Sequence, residues 1–278
     1  MKSLALAVAI AAVEWSSAVP ALGQASCPPP PIAPTDSFEN SLSPLAGETL
    51  ELRLNVPAYR LDVYDRGERI RSYRVAVGTP EHPTPLGHFQ LSEIVWNPWW
   101  IPPPFDWAKD ERVTPPGPGN PTGRVKLFFG YYLFMHGTPA DSTLGHAASH
   151  GCIRMSNSDA IDLARLVMKG MMPEVRPSEI DSLVAHPRAT RNYVLKRPVP
   201  LTLEYRLAEL RDGRLEVHPD VYREGALSAG DVVRMLELEG YDVRKLDNPS
   251  FEAFLERGRR GHVTVGVAEL LAPRAHPY

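Results

Sequence analysis

Two residues of this 278-residue chain combine a reactive type with the company that makes it reactive: His136 and Cys152. They sit in His136-Gly137-Thr138 and Ser149-His150-Gly151-Cys152-Ile153-Arg154-Met155, sixteen positions apart. A free thiol has a pKa of about 8.5 and is mostly protonated near neutrality. An imidazole that takes its proton turns it into a strong nucleophile. Gly151 lets the backbone turn tightly beside Cys152. Backbone N–H groups close to a helix start would stabilise an oxyanion, and the planar fork of Arg154 suits a substrate carboxylate. Two blander readings compete. A lone cysteine is often a small buried hydrophobe, and His136, His146, His150 and Cys152 are all zinc-ligand types. An unpaired cysteine in an exported protein is, however, a liability to oxidation. The spacing also matches no zinc pattern, and His150-Gly151-Cys152 crowds two ligands together, so no metal is expected.

The elements that must position these residues read as mainly β. Leu50, Leu52, Leu54 and Val56 alternate with polar residues, the period of a half-buried strand. Leu61–Tyr64 and Tyr73–Val77 flank Asp65-Arg66-Gly67-Glu68, which predicts a hairpin turning near Gly67. Phe89–Leu91 predicts another strand. Residues 97–104, with Trp99, Trp100 and four prolines, and residues 115–121 predict loops. The two indoles either wall a cleft or pack a core. Tyr131–Met135 predicts a strand running into His136. Ser156 with Asp159 three residues on resembles a capping signal for a helix that Gly170 ends. Beyond Pro177 the pattern weakens, then Val199–Tyr205 reads as a strand, Arg211–Arg214 as a turn, Asp231–Glu239 and Ser250–Arg257 as helices and Val263–Val265 as a strand.

Composition narrows the function classes. Lys and Arg total 30 against 33 Asp and Glu, a net charge of −3, which gives no electrostatic case for nucleic acid. Prolines (29) outnumber glycines (20), which disfavours a helical bundle. Two cysteines, Cys27 and Cys152, exclude a multi-disulfide scaffold. Lys2, the apolar run Leu4–Val13 and Gly23-Gln24-Ala25 read as a secretory signal cut after Ala25. Ten apolar residues do not span the roughly 30 Å of a bilayer core, so no integral membrane span is expected. Gln24-Ala25-Ser26 fit a lipoprotein site poorly, so Cys27 reads as a linker residue rather than a lipid anchor. The expected organisation is a signal peptide at 1–25, a Pro/Ser-rich linker at 26–45, a catalytic domain at 46–205 and a C-terminal extension at 206–278. In the extension, His218 and His262 read as surface residues, and Tyr205, Asp220 and Tyr222 have no assignable role.

At these motifs the chain resembles the L,D-transpeptidase catalytic domain family of the YkuD type. The resemblance rests on His136 followed by Ser149-His150-Gly151-Cys152. It extends to Thr84-Pro85-Leu86-Gly87-His88-Phe89, Asn97-Pro98-Trp99-Trp100-Ile101-Pro102-Pro103 and Pro116-Gly117-Pro118-Gly119-Asn120-Pro121-Thr122-Gly123, covering about Leu50 to Met172. It implies a compact β-sandwich-like catalytic domain with a helix after the catalytic motif, followed here by a small α/β extension. It further implies that Cys152 is the nucleophile and His136 its base, with the Gly137 carbonyl orienting the imidazole. Ser149, His150, Gly151 and Arg154 would shape the cleft and oxyanion site. Gly137 stands where Ser is frequent, and Arg154 where some members carry Asn, which leaves a hydroxyl role and the Arg154 contact open.

The implied reaction acts on peptidoglycan tetrapeptide stems. Cys152 attacks the carbonyl at the L-centre of the diamino acid, expels D-alanine and forms a thioester. An amine acceptor then gives a 3→3 cross-link or anchors a protein to the wall. Water instead of an amine would make an L,D-carboxypeptidase or cross-link hydrolase, and a non-catalytic wall-binding module is a further alternative. No cofactor is required, and the expected location is the periplasm or cell envelope.

Overall fold

A computed structural model describes residues 50–225 and 227–271. The expected signal peptide, the linker and Cys27 lie outside the described residues. The leucine alternation forms β1 (Leu50–Asn55), and its leucines are buried. β2 (Arg60–Asp65) and β3 (Glu68–Arg74) make the expected hairpin. Its turn residues Arg66 and Gly67 take φ of 52° and 81°, the left-handed pair that matches strand twist in a two-residue turn. Next come β4 (Val77–Gly78), β5 (Gly87–Trp96), β6 (Val125–Gly130), β7 (Leu133–Thr138), β8 (Ala147–Ser149) and β9 (Ile153–Ser156). Tyr131 and Tyr132, expected in the strand before His136, instead form the β6–β7 turn, with Tyr132 at φ 56°.

Helix α1 (Asn157–Met171) starts as its capping signal requires: the Ser156 hydroxyl accepts from the Asp159 amide at 3.0 Å. Gly170 does not end it but lies in its last turn. Beyond the weak pattern, α2 (Pro177–Ala185) begins on Pro177 at its first position, where a missing N–H costs nothing. β10 (Arg191–Glu204) is longer than expected, because a register shift between Val194 and Val199 carries the strand past Pro198.

These strands build one eight-stranded sheet in the order β3-β2-β1-β10-β5-β6-β7-β9. Its two edges come together. Two residues past β3, Ala76 exchanges both backbone hydrogen bonds, each 2.9 Å, with Arg154 on β9. The sheet therefore curls almost closed around its core, which α1 caps with Ala160, Leu163, Ala164, Val167 and Met168. β4 and β8 pair in parallel beside that seam. The mainly β expectation holds, realised as a nearly closed barrel. No helix of the described residues is long and apolar enough to cross a membrane.

The C-terminal part forms β11 (Ala208–Arg211), β12 (Arg214–Val217), α3 (Ala229–Leu238), α4 (Asn248–Arg260), β13 (Val263–Gly266) and α5 (Val267–Leu270). Its own core gathers Leu215, Val217, Val232, Leu236, Phe251, Phe254, Leu255 and Val267. Charged groups join it to the barrel: Arg60 pairs with Glu209 and, at 2.6 Å, with Glu216, and Arg211 reaches Asp62 at 2.7 Å. His218 is fully buried here rather than on the surface, bonding Glu209 at 3.1 Å and His262 at 3.0 Å. Glu209, Glu216 and His218 converge, yet both carboxylates already hold the Arg60 guanidinium.

Buried Asn97, at φ 46°, anchors the proline-rich loop that follows it. Its amide nitrogen lies 2.9–3.1 Å from the carbonyls of Leu183, His186 and Ala189, while Arg124 donates to its side-chain oxygen at 2.9 Å. Replacing Asn97 with Ala strands these groups and is expected to cost about 3 kcal/mol. Chemical denaturation would read this loss, and the charged Asn97→Asp variant, which faces the same carbonyls without a donor, should lose at least as much.

Candidate active site

The strand register brings the candidate residues together. On adjacent strands Lys126 (β6) pairs with His136 (β7), and His136 pairs with Arg154 (β9). Directly paired residues share a sheet face, and all three line one cavity of about 650 Å³ together with Cys152, Ser149 and His150. Aromatic rings line the same cavity: Trp99, Trp100, Phe105 and Trp107, with Trp99 49% exposed. The indoles of the proline-rich loop thus wall a cleft rather than fill a core. Asn120 braces this loop from beneath, its amide nitrogen 2.8 Å from the Pro98 carbonyl.

His136 is buried, and its Nδ1 lies 2.7 Å from the Gly137 carbonyl oxygen. A carbonyl only accepts, so Nδ1 carries the proton and Nε2 keeps its lone pair. Burial drives the imidazole pKa down to about 3; the Gly137 bond opposes this, and Arg154 and Lys126 add to it. His136 is therefore a neutral base across the physiological range. Gly137 also has a steric reason: a Cβ there would fall 2.3 Å from Asn157 Oδ1, which accepts from the Arg124 amide at 2.8 Å.

Cys152 is half-buried and unpaired. Its thiol donates to the Tyr132 carbonyl at 3.5 Å, in the β6–β7 turn, rather than to the imidazole. Burial raises its pKa, while a backbone hydrogen bond at Phe134 and the charges of Lys126 and Arg154 pull the other way. The thiol and the imidazole that line this cavity are thus both uncharged at rest; a thiol–imidazole hydrogen bond often tightens only in a substrate complex.

The turn carrying Cys152 is held by its neighbours. Gly151 has φ 99°, a conformation open to glycine. The Ser149 hydroxyl donates to the Cys152 carbonyl at 2.5 Å and so braces the turn at the edge of the cavity it helps to line. Thr84 donates to the Gly151 carbonyl at 3.0 Å and accepts from the Gly78 amide at 2.8 Å. Tyr222, from the C-terminal part, accepts from the Thr84 amide at 3.1 Å and donates to the Gly78 carbonyl at 2.9 Å. Tyr205 and Asp220 support it: the Tyr205 hydroxyl donates to Asp220 at 2.5 Å and accepts from the Tyr222 amide at 2.6 Å. His150 is exposed and stacks on Trp107, ring centroids 4.1 Å apart, with His82 at 4.8 Å. One expectation fails locally: strand β9, not a helix start, follows Cys152, and α1 begins five residues on.

Sequence reasoning missed Lys126, Thr84, Tyr222 and Trp107. Lys126 sits in an apolar strand with no motif around it. Thr84 stood only inside a family-like segment, and Tyr222 bonds across 138 positions. The Asn-Pro pairs at 97 and 120 were the available signal for the loop anchors, since Asn side chains bond nearby backbone in turns.

Residues 51–177 match the model of the L,D-transpeptidase catalytic domain family. A Bacillus licheniformis protein, YkuD, named as an L,D-transpeptidase, is 31% identical over 118 residues, covering 42% of this chain and 59% of its own length. ErfK/SrfK of Salmonella typhimurium, named a probable L,D-transpeptidase, is 28% identical over 184 residues, covering 62% and 52%. This chain thus spans between half and three fifths of these relatives. A solved L,D-transpeptidase of Mycobacterium tuberculosis H37Rv aligns over 56% of this chain and 57% of its own, at 14% identity and a TM-score of 0.36.

The pH dependence of Cys152 alkylation tests the resting state. With His136 neutral, no thiolate–imidazolium pair supplies a plateau, so the iodoacetamide rate should climb steadily from pH 5 to 8, by about tenfold per unit. A flat rate over that range would show a preformed ion pair instead. By sequence, residues 51–177 are similar to the L,D-transpeptidase catalytic domain family, whose model they match.

Proposed function

We propose that this domain is a cysteine-dependent L,D-transpeptidase acting on peptidoglycan stem peptides, with Cys152 as nucleophile and His136 as its base. The observation that carries the reading is a thiol and a neutral imidazole in one cavity, the imidazole turned by the Gly137 carbonyl so that Nε2 is the free base. That arrangement parallels other nucleophile–base–orienter triads, with a backbone carbonyl as the third member.

In the proposed cycle, Cys152 Sγ attacks the carbonyl at the L-centre of the diamino acid in a tetrapeptide donor and its proton passes to His136 Nε2. The tetrahedral adduct collapses, the C–N bond to D-alanine breaks, and the leaving amine takes the proton from His136. A thioester remains. His136 then accepts a proton from the amine of a second stem, or of a protein lysine, as that amine attacks, and the thiol is restored with the new amide. Ser149 and Gly151 hold the turn that presents the sulfur, while His150 and Arg154 form part of the donor cleft. Residues 46–205 are taken as the catalytic domain and 206–278 as an extension that braces it. The apolar Leu4–Val13 run supports action in the periplasm or cell envelope, where peptidoglycan lies.

Mass spectrometry of the reduced protein after carbapenem treatment should show one adduct, on Cys152, absent from Cys152→Ala. With disaccharide-tetrapeptide as donor and acceptor, the expected product is a cross-linked dimer with one D-alanine released per bond formed. D-alanine release without dimer would assign a carboxypeptidase. No adduct and no turnover would leave only a wall-binding role.

A further inference from the structure

Lys126 has no part in the cycle above, yet it is 8% exposed and lies on the wall of the same cavity. Its ammonium has three donors. The structure gives them a single acceptor, the Trp99 carbonyl at 3.3 Å, and sets the charge 4.7 Å from the Phe134 ring centroid and 5.6 Å from that of Trp100. Two places along the same row of paired residues, beyond His136, stands Arg154. Among the described residues, neither Lys126 nor Arg154 has a carboxylate within ion-pair distance. Glu111 is the single carboxylate lining the cavity, and it is exposed. On the same wall the Trp100 indole N–H is buried without an acceptor.

Burying an unpaired cation is expensive because it loses hydration, and here Lys126 is buried and Arg154 half-buried with no carboxylate partner among the described residues. Burial accordingly lowers the pKa of both, that of Lys126 to about 8. A fold that keeps both in a cleft of this kind leaves the counter-charge to the ligand. The geometry narrows that ligand. The guanidinium fork matches a planar two-oxygen acceptor, and an ammonium adds a point charge at its flank. Much of the remaining lining is aromatic rings and prolines, suited to an organic chain rather than a free inorganic ion.

We propose that Lys126 and Arg154 form a carboxylate-binding subsite beside Cys152, which holds a free carboxylate of the substrate while a neighbouring carbonyl meets the thiol. Assigning that carboxylate to the donor stem rests on the transpeptidase reading; the subsite itself does not. Lys126 is then a specificity-determining residue that selects peptides ending in a free acid over the same peptides capped as amides. A purely structural Lys126, held by cation–π packing, would give no such selection.

Paired alkylation separates these outcomes, because iodoacetate and iodoacetamide react with the same thiolate and the ratio of their rates cancels its ionisation. In the wild-type protein the iodoacetate-to-iodoacetamide ratio should exceed that of a small free thiol by roughly fivefold or more. Lys126→Met should bring it most of the way down, and Lys126→Arg should keep it. If Lys126→Met fails to fold, as judged by its thermal transition, Lys126→Gln serves in its place. An unchanged ratio in a folded, uncharged variant overturns the subsite, whatever the enzyme's activity. With peptide donors, the variant should raise KM for the free-acid tetrapeptide relative to KM for the same tetrapeptide capped as an amide. A lowered alkylation ratio without turnover of any peptide sustains the subsite and refutes the transpeptidase reading. Turnover with an unchanged ratio does the reverse.

Discussion

The backbone exchange between Ala76 and Arg154 is the constraint on which the site depends. Both hydrogen bonds are 2.9 Å, and they join the chain leaving one edge of the sheet to the strand at the other. Without that seam β9 would be an open edge, and the residues before it, Gly151 and Cys152, would have no partner to set their path. With it, the segment from Val77 to Thr84 runs alongside the Cys152 turn. Thr79 then bonds the Ser149 carbonyl at 2.9 Å, and Thr84 bonds that of Gly151. The turn is fixed from outside the sheet as well as from within it.

Curling the sheet also sets the electrostatics. The row Lys126–His136–Arg154 lies across three adjacent strands at the cavity floor, with Lys126 and His136 buried. Desolvation there penalises every charge. A histidine in the middle of the row, flanked by two cations, is left neutral with its proton on Nδ1. The same burial that weakens the thiol as an acid keeps the imidazole available as a base. A single property of the floor thus governs both partners of the proposed proton transfer.

Much of this was legible in the chain. Alternating leucines, the Gly67 turn and the Ser156 cap depend on local physics, and the structure repeats them. His136 and Cys152 stood out because their types do chemistry. What escaped detection depended on distant partners. Pro198 argues against carrying the Val199–Tyr205 strand further back, yet β10 begins at Arg191 and joins β1 to β5, because neighbours on both sides hold it through the irregularity. Pro177 looked like a break and is a helix start. Lys126 reads as the polar member of an apolar strand, which is normally its solvent face; only curvature turns that face inward. His218 reads as a surface residue until Glu209 and His262 close around it. Curvature and long-range closure leave no mark at the spacing of a few residues, and no motif announces them.

The order in which the chain emerges gives the Tyr222 contacts a further meaning. Cys152 precedes β10, and Tyr222 follows it, so a nascent chain contains the Cys152 thiol before it contains either the middle of the barrel or the clasp on Thr84 and Gly78. Until that later stretch arrives, β1 and β5 cannot be bridged, and the segment that supports Gly151 has lost one of its anchors. The thiol is therefore present early but presented late. The C-terminal part thus supplies, last in the linear order of the polypeptide, the final brace on the segment that supports the Cys152 turn.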